Sequence, residues 1–285
     1  MKFVDNDIDI IWDPPLVIWA LFDDYDSSYQ KAITKNFNQN EQKQFVVISI
    51  GIKDTKDISF TQTQNSIYKQ IDLSLTNPKL AQQLKELPKP DIILASPPCE
   101  SWSGVDCGRQ MFGKMSYSKK LINNDTSIWE IRNRRYYEEY NKYCKSKKRK
   151  SFVQREIMRL QGISTIGATL AIIGNFQPKI WVIENPANSK TWEFQKKHWN
   201  FGGYHNLTYL NNYDSNYSRQ PTIFKSNIKM NLFRKRLKTD FNKDNCNNKN
   251  YKKENSIPEN LIVHIIEEIK TQYDAFWKNT YKTNI

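Results

Sequence analysis

The chain has no apolar run approaching the length of a membrane span, and its start lacks the basic and apolar regions of a secretory leader. It is therefore expected in the cytoplasm, away from the membrane. Cysteine and histidine are scarce, four and three in 285 residues, and Cys99, Cys107, Cys144 and Cys246 show no Cys-x-x-Cys spacing. No metal site is expected from such a set. A reducing compartment fits, because disulfide formation would disarm a reactive thiol. Acids are in deficit: 30 Asp and Glu face 43 Lys and Arg, a formal charge of +13. That surplus favours a polyanion, with nucleic acid the first expectation and solubility the plainer one. Against this trend, the start is acidic, with Asp5, Asp7, Asp9, Asp13, Asp23, Asp24 and Asp26. Hydrophobic content of 38% with 13% aromatics supports a folded chain, long enough for one large α/β core with or without a small lobe.

What is present is organised around Asp91-Ile92-Ile93-Leu94-Ala95-Ser96-Pro97-Pro98-Cys99-Glu100-Ser101-Trp102-Ser103. The apolar residues after Asp91 read as a short buried strand. Two prolines stop it, since each fixes φ and lacks an amide donor. Cys99 is thus expected on a stiff loop at a strand's carboxyl end, where ligands collect in open α/β sheets. A lone cysteine is more often core packing. The rigid polar loop favours a nucleophile, which must be exposed and held. A second apolar strand, Ile180-Trp181-Val182-Ile183, ends in Glu184-Asn185-Pro186. Glu184 is either an ordinary strand-end carboxylate or a proton donor partnering Cys99.

The pair, in this order, resembles the DNA (cytosine-5)-methyltransferase family, in the wording of its compact phage and bacterial members. The motifs that carry the resemblance are Ser96-Pro97-Pro98-Cys99 and Glu184-Asn185-Pro186. It implies an α/β fold: a doubly wound, mostly parallel sheet of the Rossmann-like, S-adenosylmethionine-dependent methyltransferase type. It also implies S-adenosylmethionine as cofactor, a monomer acting on double-stranded DNA, and cytoplasmic origin in a bacterium or phage. Cys99 would attack cytosine C6, Glu184 would meet N3, and Asn185 would orient Glu184. Pro98, Ser101, Ser103, Arg219 and Thr222 would lie near the target base or its phosphates.

For the cofactor, the resemblance points to Phe22, Asp24, Asp26 and Ser27 after a first strand Leu16–Phe22, to Asp54 and Asp72 after two further strands, and to Ser96 and Pro97. Two departures stand out. Aspartates occupy both glycine positions of the family's first loop, and Gly51 stands where an acid meets the ribose. A DNA-binding relative with a degenerate cofactor site, or an enzyme using an altered cofactor or RNA, therefore remains an alternative.

The catalytic domain is expected over residues 1–228, with a basic, tyrosine-rich insertion at 104–152 suited to phosphate contact and base stacking. Residues 229–256 read as a short basic target-recognition or linker segment. Residues 257–285 read as a helix packing back through Leu261, Ile262, Ile265, Ile266 and Ile269. Residues 154–173 read as a crossover helix with Ile157, Leu160, Ile163, Ala168, Ala171 and Ile172 facing the core.

Overall fold

The computed structural model describes residues 15–23, 26–37, 45–102, 117–123, 126–131, 133–143, 145, 149, 151–235, 237–238 and 256–282, with the backbone alone at 117–131 and 274–282. Asp24, Ser103 and all of 239–255 lie outside the described residues.

A seven-stranded sheet forms the centre, in the order β3-β2-β1-β4-β7-β9-β8. Its members are β1 (Leu16–Leu21), β2 (Phe45–Gly51), β3 (Ser66–Gln70), β4 (Ile92–Ala95), β7 (Ile180–Pro186), β8 (Tyr204–Tyr209) and β9 (Pro221–Ser226). β1 pairs in parallel with β2 and β4, and β4 with β7, while β9 runs antiparallel to both neighbours. This is the doubly wound, mostly parallel α/β class expected from the sequence.

The strands are apolar on both faces because helices cover both. Side-chain alternation divides them: Ile18, Ala20, Ile92 and Leu94 pack beneath α1 (Ser28–Phe37) and α6 (Glu259–Lys282). Trp19, Leu21, Ile93 and Ala95 pack with α2 (Leu80–Lys85), α4 (Phe152–Phe176) and α5 (Thr191–His198). Leu261, Ile262, Ile265, Ile266 and Ile269 are all fully buried, so the final helix does pack back on the sheet.

Serine 151 caps α4 by accepting the Gln154 amide, and Gln177 closes it in a left-handed conformation, its amide bonded to the Ile173 carbonyl. At about 1.5 Å per residue this helix outruns the strands it covers. Its first half therefore projects past the sheet. Ile157 and Leu160 are 50% and 54% exposed, and Ala171 is exposed too, which corrects the expectation that they face the core. The buried face is Ile166, Gly167, Ala168, Thr169, Ile172 and Ile173. By length and composition α4 is also the one described helix long and apolar enough to cross a membrane.

Between β4 and α4 the chain adds a two-stranded antiparallel ribbon, β5 (Tyr117–Asn123) with β6 (Thr126–Ile131), and then α3 (Arg134–Lys142). Arg134 and Arg135 are engaged by Glu138 and Glu139 one turn on, so part of this segment's positive charge is balanced locally.

Candidate active site

The sheet's switch point lies between β1 and β4, because the chain leaves β1 in one direction and returns to its other side. Ligands gather in the crevice outside such a point. The loops after β1, β4 and β7 border it.

After β4, the Ser96 amide makes a last bond to the Leu21 carbonyl at 3.2 Å. Pro97 is buried and Pro98 exposed, and neither can extend the ladder. The Trp102 amide reaches back to the Cys99 carbonyl at 2.9 Å, closing the 3-10 turn Glu100–Trp102. Trp102 is fully buried; its Nε1 donates to the Gly162 carbonyl of α4 at 3.2 Å, and its ring packs on Phe194 of α5. Its own carbonyl accepts the Lys190 amide at 2.8 Å. The half-buried Cys99 thus sits on a loop fastened by two helices.

Ala95 of β4 lies beside Ile183 of β7, so the next residue, Glu184, stands at the same sheet edge as Ser96. Asn185, completely buried, donates from Nδ2 to the Pro97 carbonyl at 2.9 Å. This bond ties the two motifs directly. The Ser96 hydroxyl lies 3.0 Å from the Tyr29 hydroxyl.

Burial pushes the Glu184 carboxyl up to about 7. Burial also pushes the Cys99 thiol up to about 12, aided by the nearby Glu100 and Glu184 carboxylates. The carboxyl is therefore the acid of the pair and ionises well before the thiol, and its charge, after burial and Glu100, helps keep Cys99 protonated.

A measurable consequence is a reversed pH slope. Glu184 is raised on folding, so its contribution to stability is lost as pH climbs from about 4.5 towards 7. Glu184→Gln does not titrate, and its stability should gain on the wild type between pH 5 and 8, by up to about 3 kcal/mol. Urea denaturation at both pH values checks this; a constant difference would refute the raised carboxyl.

In the loop after β1, Phe22 and Ser27 hold left-handed backbone, with φ of 63° and 56°. Non-glycine residues cost roughly 1–2 kcal/mol each there, and such strain collects at ligand sites. Asp23, buried, closes the start of α1: its two oxygens accept the Tyr29 and Gln30 amides at 3.1 and 3.0 Å and the Ser49 hydroxyl at 2.8 Å. Burial raises this carboxyl to about 7 despite those donors. The helix N-terminus that takes pyrophosphate in dinucleotide folds is therefore filled internally. With Asp26 beside it, this loop suits a cationic ligand without phosphates. Asp26 itself accepts the Ser28 amide and hydroxyl.

The remaining expected residues are more scattered. Asp54 is exposed, caps a 3-10 turn through the Lys56 amide and pairs with the Lys56 ammonium. Asp72 is exposed and accepts the Ser74 hydroxyl. They follow β2 and β3, about 10 and 14 Å along the sheet from β4. Ser101 is buried against Gly162. Thr222 is buried opposite Pro186 in β9, and exposed Arg219 precedes it at the same edge as Glu184. Four participants were absent from the sequence-based expectations: Tyr29, Asp23, Gly162 and Trp192, whose Nε1 holds the Pro186 carbonyl at 2.9 Å.

No family model matches the chain, and no curated protein matches it. Among solved structures it is similar to the Dnmt2 methyltransferase of S. pombe, at 13% identity and a TM-score of 0.39, covering 76% of this chain and 51% of that one. It is also similar to the Entamoeba histolytica methyltransferase EhMeth, at 12% identity and a TM-score of 0.40, covering 78% and 57%. The chain spans little more than half the length of each.

Proposed function

We propose that the chain methylates cytosine C5 in double-stranded DNA, working as a cytoplasmic monomer with S-adenosylmethionine as cofactor and no metal. The observation that carries this reading is the bond from Asn185 Nδ2 to the Pro97 carbonyl. It holds a cysteine and a carboxyl with raised proton affinity at adjoining strand ends beside the switch point.

Cytosine C5 is a weak nucleophile. When the Cys99 thiol gives its proton to solvent and Sγ bonds to C6, the ring's electron pair moves towards N3, which takes the proton offered by Glu184. C5, now enamine-like, takes the methyl group and then gives up its own proton to a base. The C6–Sγ bond breaks, returning Cys99, and N3 returns the proton to Glu184. S-adenosylmethionine, when bound, supplies an electrophilic methyl on a sulfonium; Phe22, Asp23, Asp26 and Ser27 would hold it. The target lies inside the duplex and must be turned out, helped by the chain's positive charge.

The test is transfer of tritiated methyl to duplex DNA, single-stranded DNA and RNA, followed by nucleoside analysis. Label in 5-methylcytosine from duplex DNA is expected. Label confined to RNA would change the substrate, and no label in any of them, despite salt-sensitive DNA binding, would make the chain a binding protein.

A further inference from the structure

Lys31 makes the first backbone bond of α1, to the Ser27 carbonyl at 3.0 Å, so the amides before it need other acceptors. Side chains take all three. The Ser28 amide finds Asp26 Oδ1 at 3.2 Å, and those of Tyr29 and Gln30 find the two oxygens of Asp23. Ser49, reaching across from β2, gives its hydroxyl to the same carboxyl, and Phe22 gives its amide to the Ile50 carbonyl at 2.8 Å. On the outer side Ser59 donates to the Asp26 carbonyl at 3.1 Å and lies 3.2 Å from Ser27 Oγ. The left-handed residues of this turn are Phe22 and Ser27, and neither stands at a glycine position of the resembled loop. Such backbone persists at residues with a side chain only where the surroundings over-determine it. Asp23 is at the centre of those surroundings: 5% exposed, with both oxygens engaged, it joins β1 to α1 and β2.

We propose that Asp23 is a positioning residue for the cofactor, holding the two ends of the turn after β1 in place before a ligand arrives. Its side-chain bonds do there what glycines do elsewhere through conformational freedom. The assignment rests on the reading of the cofactor given above. Asp23 acts through Phe22 and Ser27 and touches no reacting atom. A turn fixed in advance spares the ligand the entropy of ordering it. The same carboxyl occupies the helix end where a nucleotide phosphate would bind, so the preformed turn favours a ligand that brings no phosphate.

Asp23→Asn keeps one acceptor but turns a donor towards the Gln30 amide and the Ser49 hydroxyl. Measurements at pH 8 find the wild-type carboxyl, raised by burial to about 7, ionised. There the variant should bind S-adenosylmethionine at least about tenfold more weakly by calorimetry. In methyl transfer its KM for the cofactor should rise with kcat within about twofold, a split that general loosening would not give. Amide exchange followed by NMR should show Tyr29 and Gln30 protected in the ligand-free wild type. In Asp23→Asn both should exchange at least about tenfold faster, while Leu94 of β4 keeps its rate. Inorganic pyrophosphate should leave both wild-type signals unmoved. Wild-type affinity in Asp23→Asn, unprotected amides in the ligand-free wild type, or pyrophosphate shifts at Tyr29 and Gln30 would each overturn the proposal. Should Asp23→Asn not fold, Ser49→Ala, which removes one donor to the same carboxyl, should weaken binding about threefold; wild-type affinity there would overturn it equally. A wild type that binds no S-adenosylmethionine, with exchange still hastened by Asp23→Asn, would leave the brace standing and remove only the cofactor reading.

Discussion

Cys99→Ser should lower methyl transfer at least about a thousandfold, because a serine hydroxyl is a far weaker nucleophile without a base to activate it. Duplex-DNA affinity at fixed salt should stay within about twofold, since binding rests on phosphate contacts rather than on the reacting atom. The substitution is nearly isosteric and spares what fastens the loop: the Cys99 carbonyl, the Asn185–Pro97 bond and the buried Trp102. A loss of activity would therefore report chemistry rather than collapse. Methyl incorporation and fluorescence-anisotropy titration, run side by side, measure the two quantities. Substantial transfer by the serine variant would remove Cys99 from the mechanism. The wild-type thiol, pushed up to about 12, makes the contrast informative. Burial and the Glu100 and Glu184 carboxylates keep it mostly protonated in the free protein.

Gly162→Ala should be strongly damaging. A Cβ there would lie 1.8 Å from Ser101 Oγ, 2.9 Å from Ser101 Cβ and 3.1 Å from Trp102 Nε1. Rotating the serine relieves only the first of these. The 3-10 turn must then move off α4, breaking the Trp102–Gly162 bond and carrying Cys99 with it. Overpacking of this kind costs about 1–3 kcal/mol. Activity should fall further than stability does, because sub-ångström displacement of a reacting group is costly. Denaturant unfolding and steady-state rates check the pair of effects. The double variant with Ser101→Ala should recover part of the stability, which a double-mutant cycle would resolve. A Gly162→Ala protein as stable as the wild type would show that the Ser101 turn has room for a methyl group and is not seated tightly on α4.

The parts of the fold legible in the sequence were those with uninterrupted apolar runs. β1, β2, β4 and β7 are such runs, and α1, α2 and α6 keep their apolar spacing. β9 was hidden because its Lys225 looks like a surface residue. In the fold Lys225 is buried; it donates to Gln195 Oε1 and to the Phe201 carbonyl, and burial draws it down to about 8. The outer half of α4 misled because apolar spacing marks a face without saying where the sheet beneath it ends.

At the site, Cys99, Glu184 and Asn185 could be read because proline after an apolar strand marks a loop edge. Tyr29 could not. A tyrosine beside Ala32 and Ile33 on a helix reads as packing, and only the folded chain shows that its hydroxyl faces Ser96. Asp54 and Asp72 were read from their place after strands, whereas their exposure and local partners depend on turns that no pattern specified.

Among the described residues the ribbon β5–β6 pairs with no other strand and, like α3, lies inside the crossover from β4 to β7, whose ends the sheet fixes independently. Closing a crossover is an entropic cost that grows only with the logarithm of its length, about 0.6 kcal/mol for each doubling. Cys99 and Glu184 are therefore held by strand pairing, the Asn185 bond and the packing of Trp102 on α4, while the stretch that carries the ribbon can lengthen or shorten at little entropic cost. A chain built this way can exchange the surface its ribbon presents and leave the positions of Cys99 and Glu184 where they are.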